Sequence, residues 1–162
     1  MTASVARGTL ARPSIHSPCE VTMGRINWGR VVGAGLLAGV VLNAFDFVVN
    51  GVWLAKDWNA ALQALGKGPM SGSMIVWFVV YDFLVGIFMV WLYAAIRPRY
   101  GAGARTALYA GVATWLLICV FHAVSEAPMG IFPDRLYTLT TVTALIGVPL
   151  AAVVGAWQYK EM

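Results

Sequence analysis

Charge is what this chain has least of. Only 11% of its 162 residues are Asp, Glu, Lys or Arg, under half of the roughly 25% found in soluble domains. So few ionic groups cannot cover a water-facing surface, which excludes an ordinary soluble enzyme. The net charge of +4 is small and gathers at segment ends, so it reads as a topology signal and no nucleic-acid partner is expected. Cysteine is almost missing. Cys19 lies in a polar tail and Cys119 in the middle of an apolar run. No CxxC or Cys/His spacing is present, which argues against zinc or thiol redox chemistry, and Cys119 reads as a small packing residue. A Gly-rich nucleophile turn and an HExxH pattern are also lacking, so a membrane-embedded hydrolase ranks last and the chain leans away from being an enzyme.

Hydrophobic residues are what it has in quantity, at 60% with a mean hydropathy of +0.75. The organising stretch is Val31 to Leu54, VVGAGLLAGVVLNAFDFVVNGVWL. Its 24 residues span about 36 Å as a helix, against a hydrocarbon core of about 30 Å. Asp46 sits inside it, at an insertion cost of about 2.5–3.5 kcal/mol. Thirteen Val, Leu and Phe residues offset this with about 0.3–0.6 kcal/mol each, so the helix still inserts and the acid is tolerated.

Residues 1–24 carry Arg7, Arg12 and two prolines with no apolar block, and read as a disordered polar tail without a secretory signal. Met23, just before GRINWGR, makes a natural start, so the preceding residues read as a start-site extension. Residues 25–162 read as one domain, an all-α four-helix transmembrane bundle with spans at about 31–54, 73–96, 104–126 and 136–158. Asp57 is placed to cap a short interfacial helix through Trp58, Ala61, Leu62 and Leu65, ended by Gly66. Pro98 marks the turn in RPRYGAGAR, and Pro149 should kink the last span.

Counting Lys and Arg orients the chain. Arg7, Arg12, Arg25, Arg30, Arg97, Arg99, Arg105 and Lys160 fall on one side, and Lys56, Lys67 and Arg135 on the other. The expectation is a multi-pass inner-membrane protein with both termini cytoplasmic. Trp28, Trp91, Tyr93, Trp157 and Tyr159 then form an inner aromatic belt, and Trp53, Trp58, Trp77 and Tyr137 an outer one.

With this topology, Asp46 lies about 12 Å and Asp82 about 13 Å below the outer helix ends, at one level. His122 and Glu126, at i and i+4, join them from the third span, with Asn43 and Asn50 on the stripe of Asp46. Gly35 and Gly39 continue that stripe as a packing seam, matched by Gly86 and Gly111 on the second and third spans. Two carboxylates facing each other in a low-dielectric interior cannot both stay ionised without a cation. A shared proton is expected, relayed by His122. The alternative is a divalent cation, Mg²⁺, Mn²⁺ or Zn²⁺ suiting these ligands better than Cu⁺; no other cofactor is indicated.

RINWGRVVGAGLLAGVVLNAFDFVVNGVWLAKDW resembles a group of bacterial multi-pass membrane proteins with no established activity. The shared features are the Ile-Asn-Trp start, the Gly-rich first helix and an acid followed by Asn-Gly-Val. The resemblance runs from Arg25 to about Trp58 and loosely on to the GAWQYK end. It implies the four-helix architecture and nothing about function. From the residues, the expected function is proton- or cation-linked transport or sensing by the outer cluster. The alternative is a structural or assembly protein whose acids only hold helices together. Lipid is the expected surrounding partner, and a second copy could pack on the small-residue seams.

Overall fold

The computed structural model describes residues 26–160; the expected tail over 1–24 lies outside them. Four helices are long and apolar enough to cross a membrane: α1 (Trp28–Trp53), α3 (Gly72–Tyr100), α4 (Ala104–Met129) and α5 (Asp134–Gln158). A short helix, α2 (Ala55–Ala64), joins the first two. No strand occurs among the described residues. These helices are consistent with an integral membrane protein, because only a helix satisfies its own backbone groups in hydrocarbon.

Local chemistry sets the ends. The Asn27 side chain accepts from the Arg30 N–H at 3.1 Å and opens α1, leaving one fewer orphan donor at the helix start. Gly66, at φ +69°, closes α2, with the Lys67 N–H reaching the Leu62 carbonyl. Asp57, expected as a cap, is instead inside the first turn of α2. There it accepts from Arg135 Nη1 at 2.9 Å, tying α2 to the start of α5. Pro98 does not make the turn either. Helix α3 runs past it to Tyr100 and ends at Gly101, φ +84°. A proline one turn from the end removes one intrahelical bond, while Arg97 and Arg99 face the negative pole of the helix. Helix α5 likewise continues through Pro149 as one element.

In the bundle α1 packs on α3 and α5, and α4 on α5 and the terminal half of α3. Two ends are thus defined: an α2 end, with α2 and the 130–133 loop, and a terminal end, where residues 26 and 160 lie. The core is lopsided toward the terminal end. Ala34, Ala38, Met89, Val90, Ala107, Ala110, Ala151 and Ala152 are all buried there. Tyr93 and Tyr159 are buried too, ring on ring at 6.0 Å in an edge-to-face pair. Their hydroxyls accept from the backbone N–H groups of Gly103 and Asn27 at 3.2 and 3.3 Å. The pair therefore closes the terminal end from within and is not part of a lipid-facing belt, whereas Trp28 and Trp157 are exposed.

The α1–α3 contact is a backbone-to-backbone seam. A Cβ on Gly35 would stand 2.5 Å from the Ile87 Cα, and one on Gly39 2.8 Å from the Phe83 Cα. A Cβ on Gly86 would run into the Gly35 carbonyl oxygen and stand 2.6 Å from the Gly39 nitrogen. Gly111 gives α5 the same approach, with Pro149 Cα at 2.7 Å from its absent Cβ. Gly147 and Gly155 do so as well, under the Phe45 ring and beside Val90. Small residues at these crossings allow the close backbone approach that holds apolar helices together in lipid.

Candidate functional site

The seam also fixes which residues of α1 and α3 stand opposite one another. Gly35 meets Ile87, Gly39 meets Phe83, and Asn43 Nδ2 donates to the Val79 carbonyl at 3.3 Å. Each step of four along α1 is a step of four back along α3. Continued, this register sets Asp82 opposite Val40 and Asp46 opposite Val76. The acids are therefore staggered by six residues, about 9 Å along the helix pair, and not level as the sequence suggested. Counting from helix ends failed because α3 begins opposite Asn50, short of the end of α1. No hydrogen bond joins Asp46 to Asp82, so one directly shared proton, which needs oxygens about 2.5–2.7 Å apart, does not describe the pair. The two still act on each other electrostatically.

Asp82 is the deeper group. It lies level with the middle of α1, is 7% exposed, and has no hydrogen-bond donor among the described residues. Its oxygens accept no hydrogen bond from the described residues and are not wholly enclosed either; a carboxylate so little exposed and so poorly partnered is costly, which makes this residue the unusual one of the site. Asp46 is half-buried and lies nearer the α2 end. Its neighbour one turn on, Asn50, accepts from Trp58 Nε1 through Oδ1 at 3.1 Å. Asn43 takes no part in this bond. Its amide donates to the Gly39 carbonyl at 2.9 Å and to Val79, clasping α1 to α3.

His122 and Glu126 form a second group, nearer the rim. His122 Nε2 stands 3.4 Å from Glu126 Oε2, and the Tyr137 hydroxyl donates to that same oxygen at 3.4 Å. The His122 side chain is 57% exposed; it does not face the bundle interior, contrary to the simple helical stripe. The cause is a π-helical segment, Leu116–Val120. Its wider turn carries the inward face on by one residue, so Ala123 takes the half-buried position and His122 turns outward. Cys119, within that segment, comes into electrostatic range of Asp46 and Tyr81. Glu126 is seven residues further on, about 10 Å toward the α2 end. The expected single cluster is thus an inner pair and a rim pair.

A second π-helical segment, Phe47–Trp53, begins directly after Asp46. Such turns cannot be read from hydropathy. The α5 threonines add nothing to the site, since Thr138, Thr140 and Thr143 all bond back to their own helix. No group of three or more His, Cys, Asp or Glu that could hold a metal ion occurs among the described residues. A divalent ion needs several oxygens at about 2.0–2.6 Å, and no third His, Cys, Asp or Glu among the described residues joins Asp46 and Asp82 to supply them. The chain matches no protein-family model, no curated protein and no solved structure, and the site is therefore read from its own geometry.

Proposed function

We propose that this is a multi-pass inner-membrane protein that takes up a proton or a cation at buried Asp82 from one side of the bilayer, as a step in transport or in sensing. The observation that carries the reading is an Asp at mid-bundle, over nine-tenths buried and without a hydrogen-bond donor among the described residues. An intramembrane carboxylate that contributes no bond to packing is better explained by exchange than by structure. Asp46, about 9 Å nearer the α2 end, is the next group along, followed by the rim pair of His122 and Glu126. Toward the terminal end the interior is alanine, methionine and valine closed by Tyr93 and Tyr159. This supports access from the α2 side only. Moving charge fully across the membrane would need a second conformation, whereas reporting on one side would not.

Arg30, Arg97, Arg99, Arg105 and Lys160 at the terminal end, against Lys56, Lys67 and Arg135 at the other, support cytoplasmic termini. Reporter fusions at the C-terminus and in the loop after α2 test this, and activity of the C-terminal fusion only outside the cytoplasm would reverse it. The architecture implied by the resemblance to bacterial four-helix proteins agrees with this reading. The structural alternative is favoured by the Asn43 clasp, which does hold α1 to α3, but neither acid takes part in it. Infrared titration of the carboxyl stretch in lipid decides between the two. A protonated-carboxyl band that responds to pH and is lost in Asp82→Asn is expected. Spectra that are identical in Asp82→Asn and wild type across the accessible pH range would leave the structural alternative.

A further inference from the structure

Between α2 and the start of α5 lies a cavity of about 450 Å³, a volume within the range of about 300–1,000 Å³ usual for small-molecule sites. Asp57, Ala60, Ala61 and Ala64 line it from α2, a spacing of i, i+3, i+4 and i+7 that puts them on one stripe of the helix. Phe132 and Leu136 line the other side. Ala61 and Leu136 are buried, so the lining is apolar at depth.

The same cavity is bordered by both members of an ion pair, Asp57 and Arg135. They hold each other by one bond, Arg135 Nη1 to Asp57 Oδ1 at 2.9 Å. That leaves Asp57 Oδ2 and the Nε–Nη2 edge of the guanidinium without a partner among the described residues. Such an edge can hold two phosphate oxygens at once. The side chains are 36% and 68% exposed, so a ligand can reach both. The cavity also stands level with the ends of the spans, for α1 stops at Trp53, α4 at Met129, and α5 starts at Asp134. Trp58 and Tyr137 pack edge-on against Phe132 at 5.3 and 6.1 Å, and rings of these two types mark headgroup depth in a bilayer.

We propose that this cavity binds one phospholipid whose headgroup carries a phosphate and a primary ammonium, the phosphoethanolamine type. The phosphate sits on Arg135, the ammonium on Asp57, and the glycerol end against the alanines, Phe132 and Leu136. The site is separate from Asp82 and does not depend on the exchange read there. A purely anionic headgroup would meet the Asp57 carboxylate, and a simple cation would meet Arg135. A headgroup with both charges satisfies the two free edges and leaves the existing pair intact. Choline, which has no N–H, cannot donate to Asp57 Oδ2. A soluble zwitterion of the same chemistry would match the charges but leave the apolar lining uncovered, so the lining favours the lipid.

Native mass spectrometry of the full chain, released from detergent micelles with added lipid, counts the molecules bound. The probes are dioleoyl phosphatidylethanolamine, phosphatidylcholine and phosphatidylglycerol. One phosphatidylethanolamine is expected to bind about tenfold more tightly than either of the others, the size of one charge-assisted hydrogen bond. Asp57→Asn should bring it to within about threefold of phosphatidylcholine, and Arg135→Gln should weaken both lipids about tenfold. Both variants should fold, because the pair they alter is exposed. Arg99→Gln, in the last turn of α3 at the terminal end, should bind like wild type. Soluble glycerophosphoethanolamine at equal concentration should not displace the lipid. Equal binding of phosphatidylethanolamine and phosphatidylcholine to wild type overturns the inference, as does wild-type binding by a folded Asp57→Asn or Arg135→Gln. Displacement by the soluble headgroup at equal concentration overturns it too and gives the cavity to a soluble zwitterion.

Discussion

Gly86→Ala puts the seam to a quantitative test. The new Cβ would overlap the Gly35 carbonyl oxygen and lie 2.6 Å from the Gly39 nitrogen and 3.0 Å from its Cα. All three are backbone atoms of α1, so no side chain can swing aside, and α1 and α3 must separate by up to about 1 Å. A gap of that size forfeits about a third of each dispersion contact, and a seam of about fifty contacts at about 0.15 kcal/mol each then loses about 2–3 kcal/mol. This agrees with the usual range for overpacking a core. The better helix propensity of alanine returns at most about 1 kcal/mol. Gly33→Ala is the matched control, since its Cβ meets nothing within 4 Å. Unfolding in mixed micelles with rising dodecyl sulfate, followed by tryptophan fluorescence, should show Gly86→Ala destabilised by about 2–3 kcal/mol relative to Gly33→Ala, in which the same propensity gain is present and cancels. Equal stability of the two would refute the close approach of α1 and α3, and with it the register that staggers the acids.

Trp115→Phe removes the 2.8 Å bond from Trp115 Nε1 to the Thr141 carbonyl and should cost about 1 kcal/mol in the same assay; no change would mean that the bond is not formed in lipid. Arg135→Ala breaks a pair whose side chains are 68% and 36% exposed. It should shift stability by less than about 1 kcal/mol, with sensitivity to salt, and a larger loss would show that α2 depends on this tie.

The four spans were legible because hydropathy and length are properties of single segments. The small-residue stripes were legible for the same reason, Gly35 and Gly39 falling one turn apart. What one helix cannot encode is its register against another. Whether Asp46 faces Asp82 depends on Gly39 seating against Phe83 and on α3 starting opposite Asn50, both facts about pairs of helices. The π-helical turn at Leu116–Val120 has no composition of its own, so the outward rotation of His122 could not be foreseen. Tyr93 and Tyr159 looked like belt residues by position, but belt and plug differ only in which way the ring points. The unpartnered state of Asp82 was half visible: an acid in an apolar run signals cost, and only the packed bundle reveals that no donor among the described residues offsets it.

The central claim is that Asp82 is reached from the α2 side and sealed from the other. It is tested most directly by an Asp82→Cys variant lacking Cys19 and Cys119, in oriented proteoliposomes, with a small cationic thiol reagent added to one face at a time. Met89→Cys, in the sealed half of α3 and fully buried, is the comparison. The account predicts that Asp82→Cys reacts from the α2 face and not from the terminal face, while Met89→Cys reacts from neither. Reaction of Asp82→Cys from the terminal face, or from no face at all, would contradict it.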